Sequence, residues 1–395
     1  EMHMDAVVLN IEQFHIVNAL NGRDFGDRVL SIIGDEIREI LKETDGIAGR
    51  FEADRFDIYC ARQDDYRALL ERIQSRVNGL SNNINIHIRM GVRPWCEGVE
   101  PVLLFDGARA ACNRVRGDFQ HPLMIYDEEM RKRELLNQRL LNDLRSAIEE
   151  KQFKVYYQPK YDIRCEPPRL SSAEALVRWQ HPELGMISPG QFIPLFEGNG
   201  LISVVDSYVF EETAAQIAAW KNRYGVCVPV SVNLSRSDIY DSSIIDRLTK
   251  LIEKNGLNYR DLKLEVTESA YTDNVPQLLE IISRLRRIGF EVEMDDFGSG
   301  YSSLNMLSAM PIDVLKMDMK FVRNIEKNET DLRLVKLILD IAKYMNLRVI
   351  AEGVETEGQM KLLKDAGCDL IQGFYFSRPL PAHEFEELMV RELLP

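Results

Sequence analysis

Between Gln158 and Gln372, eight polar residues recur, each inside or at the C-terminal end of a short β-like run. They are Gln158, Glu174, Asn233, Glu265, Asp295, Lys316, Glu352 and Gln372. The runs that carry them are KVYYQP, SSAEALVRW, PVSVN, LKLEV, FEVEMDD, DVLKMD, RVIAEGVE and LIQG. Most gaps between the runs hold an amphipathic stretch long enough for a helix and a turn. That alternation predicts an α/β chain built as a (β/α)8 TIM-like barrel, whose strand ends converge on one face. The first connection breaks the rhythm. From Lys160 to Arg169 it contains Pro167 and Pro168, and at about ten residues it is too short for a helical crossover. A hairpin is predicted there, so one strand should run antiparallel to an otherwise parallel barrel. Later crossovers such as VPQLLEIISRLRRIG and TDLRLVKLILDIAKYMN are ordinary, each ending near Gly or Asn as a helix C-terminus should.

The N-terminal third has a different rhythm. The strand DAVVLNI leads to a long amphipathic stretch, FGDRVLSIIGDEIREILKE, and then to an apparent hairpin, IAGRFEADRFDIYCA. A helix (DDYRALLERIQSRVNGL), a strand (NINIHIRMGV) and a helix near VLLFDGARAACNRV follow. This order predicts a smaller α+β domain on an antiparallel or mixed sheet. Three segments are therefore expected: residues 1–127 as that domain, 128–150 as a solvated linker helix, and 151–395 as the barrel.

Composition narrows the function. The 395 residues are 45% hydrophobic and 28% charged, as in an ordinary soluble globular protein. A net charge of −14 argues against a broad basic face for duplex nucleic acid, but bound cations would let an acidic site take a small anionic substrate. The six cysteines include no CxxC pair, and the six histidines form no HxxxH or HExxH pattern. Free thiols in a cytoplasmic setting are the reading, with no histidine zinc site. No apolar run reaches the roughly 20 residues that span a bilayer, and no signal peptide is visible. The abrupt opening EMHMDAVVLN reads as a cut from a longer protein.

The strand ends carry the chemistry. Glu174, Asn233, Glu265 and Asp295 offer three carboxylates and one amide oxygen, a set that suits Mg2+ or Mn2+ better than zinc. Asp296 follows Asp295 directly, and such a pair can serve two cations with one carboxylate bridging. Behind it, Gly298-Ser299-Gly300 gives the loop conformational freedom, and Ser302 and Ser303 can start a helix. Lys316 sits in the apolar run VLKMD, where an unpaired ammonium would be costly; charge near a cation-activated phosphate explains it. Glu352 and Glu355 extend the acidic cluster, although either alone reads as a helix-start carboxylate. Arg178 is placed to hold a phosphate oxygen, and Gln158 and Gln372 to hold substrate or water.

The blocks EALVRW, FIPLFEGNGLI, SVNLS, LEVTES, MDDFGSGYSSL, DVLKMD, VIAEGVET and QGFYFSRPL, in this order, resemble the signature blocks of EAL-domain cyclic di-GMP phosphodiesterases. The resemblance covers residues 140–390. It implies hydrolysis of cyclic di-GMP to linear pGpG with two Mg2+ or Mn2+ ions, and a homodimer through barrel surfaces. It assigns Glu174, Asn233, Glu265 and Asp295 to the first metal, with Asp295 bridging and Asp296 and Glu355 beside the second. Lys316 would orient water or stabilise charge, Glu352 would anchor the site, Arg178 would bind phosphate, and Gln158 and Gln372 would complete the pocket. Glu268 would steady the loop after Asp295. The chain departs from the family at Gly198 and Asn199, where an acid–threonine pair is common. Two other readings compete: a cyclic di-GMP receptor without turnover, and an unrelated Mg2+-dependent barrel acting on enolisable acids.

Residues 1–127 resemble a degenerate GGDEF domain. The signature is reduced to Glu52-Ala53-Asp54-Arg55-Phe56, the first metal-ligand aspartate appears as Asn10, and the phosphate-binding lysine as Asn113. The RxxD inhibitory site is missing. Loss of both glycines removes the close backbone approach that a triphosphate needs, so cyclase activity is not expected. Asn18 and Asp27 match the guanine-reading positions, which leaves two roles open: a folded relic serving as a surface, or weak binding of GTP or another guanine nucleotide that regulates the barrel.

Overall fold

The computed structural model describes residues 3–80, 85–272, 275–298 and 304–394. The expectations placed on Ser299, Gly300, Ser302 and Ser303 fall outside these. The chain divides into two compact units, Glu1–Arg139 and Leu140–Pro395, and the helix Glu128–Glu149 runs through the division.

The first unit is built on a five-stranded mixed sheet. Its strands are β1 (Met4–Ile11), β2 (Gly46–Arg50), β3 (Arg55–Ala61), β4 (Ile88–Arg93) and β5 (Leu123–Ile125), in the spatial order β2-β3-β1-β4-β5. All pairs are antiparallel except β4–β5. The near-continuous apolar run of β1 is explained by cover on both faces. Val7, Leu9 and Ile11 enter one core with Phe25, Val29 and Ile33, while Ala6 and Val8 pack with Leu104, Ala108 and Cys112. The helix Pro101–Arg114 lies so close that a Cβ at Gly91 would come 2.0 Å from the Ala108 carbonyl oxygen. Two elements go beyond those predicted. The helix Phe14–Asn21 starts at Gln13, which has a left-handed φ of 49° and no side-chain cap, so no capping signal marks it. β5 has three residues, too few to show a period.

The second unit closes a barrel from β6 (Phe153–Asp162), β7 (Arg169–His181), β9 (Val230–Leu234), β10 (Leu262–Thr267), β11 (Val292–Phe297), β12 (Val314–Met317), β13 (Arg348–Ala351) and β14 (Leu370–Gln372). The short strands β8 (Gly185–Ile187) and β15 (Leu380–Pro381) extend β7 and β6. From β7 through β14 the barrel neighbours are parallel. β6 alone is reversed, antiparallel to β7 on one side and to β14 on the other. The short proline-containing connection between β6 and β7 is the physical cause, as its length predicts. Among the described residues, no helix is long and apolar enough to cross a membrane.

Candidate active site

Each strand delivers one polar side chain to the mouth, and the strand register aligns them. Glu265 on β10 sits beside Asn233 on β9, and Gln158 on β6 faces Glu174 on β7. Lys316 on β12 is the hub. Its Nζ lies 3.2 Å from Glu174, 2.6 Å from Glu265, 3.0 Å from Asp295 and 2.8 Å from Glu352, with the lysine 1% exposed. Burial opposes the charge on this ammonium, yet the carboxylates of Asp295, Glu174, Glu265 and Glu352 outweigh it and hold its pKa well above the ordinary lysine value.

Gln372 Nε2 donates to Glu174 Oε2 at 2.7 Å and to Gln158 Oε1 at 3.1 Å, and Asn233 Nδ2 donates to Glu174 Oε1 at 3.3 Å. Glu352 leaves the end of β13 with its backbone N–H donating to Met317 O, 3.1 Å away, which continues the ladder by one residue.

Adjacent residues of a regular strand point to opposite faces, so Asp295 and Asp296 should not reach one site. Here the β11–β12 register shifts between Met294 and Phe297, and Asp296 takes a left-handed φ of 56°. This irregularity turns both carboxylates to the mouth. Two clusters result, Glu174–Glu265–Asp295 and Asp295–Asp296–Glu352, each offering carboxylate oxygens within 4.8 Å of one another, and Asp295 belongs to both. The loop leaving them is fixed from behind: Gly298 N–H donates to Glu268 Oε2 at 2.9 Å. Gly298 has φ 95°, and a Cβ there would come 2.1 Å from the Phe321 ring.

Burial raises the pKa of Glu174, Asp295 and Asp296, with neighbouring carboxylates adding to it, and pushes Glu352 up to about 8. Glu265 goes the other way. Burial would raise it, but Lys160 and Lys316 override burial and hold it low. Five carboxylates therefore crowd the mouth in an all-oxygen donor set, and four of them hold protons more readily than a free carboxylate. Both facts fit divalent cations of the Mg2+ or Mn2+ type.

Two expected residues stand outside the carboxylate clusters, one away from the mouth and one on its cavity wall. Glu355 is exposed and outside both carboxylate clusters. Its backbone N–H donates to Gln359 Oε1 at 2.7 Å, beside the capping box that Thr356 and Gln359 form at the start of helix Glu357–Asp365. Arg178 lies on the wall of a cavity of about 490 Å³ that also reaches Asn233, Arg236, Asp295 and Asp296. Its Nη1 donates to the Val177 carbonyl at 3.0 Å, and burial lowers its pKa from the ordinary arginine value.

Sequence reasoning missed a second polar layer. Lys160, Ser172, Ser231, Lys263 and Glu293 each lie two residues from a mouth residue, on the same face and one step deeper. The signal was present as paired polar residues at i and i+2: Gln158/Lys160, Ser172/Glu174, Ser231/Asn233, Lys263/Glu265 and Glu293/Asp295. Ion pairs continue downward from this layer. Lys263 Nζ lies 3.3 Å from Glu293 and 2.8 Å from Glu291, which Arg348 holds at 2.7 Å.

The first unit has its own polar nest. Arg89 Nη2 donates to Asn10 Oδ1 at 2.7 Å, and its Nη1 donates to Glu12 Oε1 at 2.9 Å. Burial raises the pKa of Asp54, while the Arg89 charge and a hydrogen bond from Asn10 oppose that shift. Asn18 Oδ1 is buried without a hydrogen-bond partner, and Asp27 and Asn113 are exposed.

Comparison with known proteins agrees with this geometry. The family model described as EAL domain matches residues 141–379, and the model described as Diguanylate cyclase, GGDEF domain matches residues 1–116. The Escherichia coli protein named Cyclic di-GMP phosphodiesterase PdeR is 33% identical over 395 residues, covering 98% of this chain and 59% of that protein. The Pseudomonas aeruginosa protein named Cyclic di-GMP phosphodiesterase NbdA is 30% identical over 388 residues, covering 96% of this chain and 49% of that protein. The chain thus spans about half the length of the curated relatives it matches. A solved structure titled PaMucR Phosphodiesterase, c-di-GMP complex superposes with a TM-score of 0.59 at 36% identity, covering 62% of this chain and 99% of that one. With an eight-stranded barrel reversed at one strand, an acidic mouth and a family match over more than half its length, the chain belongs to the EAL-domain family and carries a GGDEF-family domain ahead of the barrel.

Proposed function

We propose that the barrel hydrolyses cyclic di-GMP to linear pGpG with the help of two divalent cations, Mg2+ or Mn2+. The observation that carries this reading is the pair of carboxylate clusters sharing Asp295 around one buried lysine. Glu174, Asn233, Glu265 and Asp295 would hold one ion, and Asp295, Asp296 and Glu352 the other. Bound there, such ions supply a nucleophilic water at neutral pH and offset charge on the departing oxygen.

The chain's own residues do the rest. Water adds across one P–O3′ bond of the ring, leaving a 5′-phosphate and a 3′-hydroxyl. Lys316, fixed by four carboxylates, sets a permanent positive charge beside the reacting phosphate. Arg178, on the cavity wall, would hold a substrate phosphate oxygen. Gln372, held in turn by Gln158, braces Glu174 so that its carboxylate keeps one orientation.

The test is incubation of the full chain with cyclic di-GMP and Mn2+ or Mg2+, followed by chromatography. Conversion to a linear dinucleotide that stops on chelation, and that Glu174→Ala abolishes, is expected. Tight binding of the cyclic dinucleotide with no turnover in either metal would replace this reading with that of a receptor.

The first unit, in this reading, makes no cyclic di-GMP, because its signature lacks the glycines and Asn10 stands where a metal-ligating aspartate would. The unpaired Asn18 Oδ1 favours a retained guanine contact. Calorimetry with GTP and Mg2+ tests that contact, and absence of heat at millimolar nucleotide removes it.

A further inference from the structure

Beneath the mouth lies a second lysine that the reading above leaves without a role. Lys160 is on the reversed strand β6, two residues deeper than Gln158, and is 0% exposed. Its Nζ lies 2.7 Å from Glu265 Oε1, 2.7 Å from Glu293 Oε2 and 2.8 Å from Ser231 Oγ. Glu265 Oε2 lies 2.6 Å from Lys316, and Ser231 Oγ also donates to Glu265 Oε1. Each oxygen of this fully buried carboxylate is therefore gripped by a different lysine.

The placement separates the two cations. Lys316 touches four carboxylates at the mouth, whereas Lys160 touches one mouth carboxylate, Glu265, and one that belongs to neither cluster, Glu293. Glu293 is also 0% exposed, and through it Lys160 joins the ion pairs that run down to Lys263 and Glu291. A buried lysine with three partners in fixed directions leaves Glu265 little rotational freedom.

We propose that Lys160, with Glu293 as its charge partner, is a positioning residue that holds Glu265 in the orientation needed to ligate a divalent cation. This rests on the reading of the mouth as a metal site. A merely structural pair would contribute only balanced charge, and replacing a balanced buried pair by apolar residues of similar volume is often neutral for stability. A positioning pair would contribute geometry, which no such replacement restores.

The two roles separate in one experiment on the full chain. Mn2+ binding is measured by calorimetry, with unfolding in chelator as a second readout, for the parent, Lys160→Met, and the double variant Lys160→Met/Glu293→Leu. Lys160→Met alone leaves Glu265 and Glu293 facing each other and should unfold more easily. The double variant removes both charges and should recover stability while binding Mn2+ on the order of tenfold or more weaker than the parent. Unchanged or tighter Mn2+ binding in a stable double variant overturns the proposal. If the parent itself shows no Mn2+ isotherm, the metal reading of the mouth fails, and this inference falls with it. The parent arm thus distinguishes the two failures.

Discussion

The two units each gather carboxylates and a basic side chain in one place, but they balance charge differently. In the first unit the guanidinium of Arg89 lies between the Asn10 amide and Glu12, with Asp54 near. An internal cation nearly settles the account. At the barrel mouth, Glu174, Glu265, Asp295 and Glu352 pair with Lys316, Lys160 reaches Glu265 from below, Asp296 joins Asp295 and Glu352, and all but Glu265 are pushed toward protonation. Carboxylates crowded in that way offer an external cation a place that protons otherwise take; a balanced nest does not. A third arrangement lies on the cavity wall, where Asp206 has a buried oxygen without a hydrogen-bond partner and faces Asp238. Burial, then Asp238, raises Asp206 to about 9, so there a proton neutralises the charge.

The strongest way to break this comparison is to remove the shared carboxylate. Asp295→Ala takes one ligand from both clusters, and turnover of cyclic di-GMP with Mn2+ should fall roughly a thousandfold or more. A variant that keeps a tenth of parental turnover would show that the clusters act independently.

The next largest effect belongs to the first unit. Arg89→Met leaves Glu12 without its cation in a largely buried setting and should cost about 3 kcal/mol of unfolding free energy, read by urea titration. A loss of under about 1 kcal/mol would place the pair among ordinary surface ion pairs and remove the contrast with the barrel.

A pH series sharpens the third arrangement. An unfolded Asp206 releases its proton near the ordinary aspartate value of 3.8, but the folded one keeps it to about 9. The unfolded chain therefore binds fewer protons between those limits, and stability falls as pH rises through that window. Asp206→Asn should remove this part of the slope. Relative to the parent it should gain up to about 1.4 kcal/mol for each pH unit between pH 4 and pH 8. Equal slopes in parent and variant would mean that Asp206 is ionised in the folded chain.

These residues were not equally legible in the sequence. The mouth residues stand at strand ends flanked by apolar residues, so their period and position announce them. The reversed strand was legible too, because the length of a connection limits its topology. Asp296 shows the first limit: its approach to the site depends on a bulge and a left-handed φ, which a sequence of two aspartates does not encode. Glu355 shows the second. Three residues from Glu352 in the chain, it lies outside both clusters and faces solvent, because the chain turns at Gly353, with φ 67°, before the helix that starts at Glu357. Lys160 and Glu293 show the third. Alone, each reads as the polar half of an ordinary alternation, and only the paired i, i+2 pattern over five strands reveals a layer.

The reversal of β6 also dictates the order in which the barrel can be completed. The hairpin with β7 is a local contact, available as soon as both strands exist, and needs little loop closure. The seam on the other side of β6 waits for β14, whose first residue is Leu370. Until that strand docks, β6 and β13 both present open edges, the kind of surface that pairs with other chains. Closure therefore comes last, and Gln372, which docks with β14, brings its hydrogen bonds to Glu174 and Gln158 only at that step. The site is completed when the ring is.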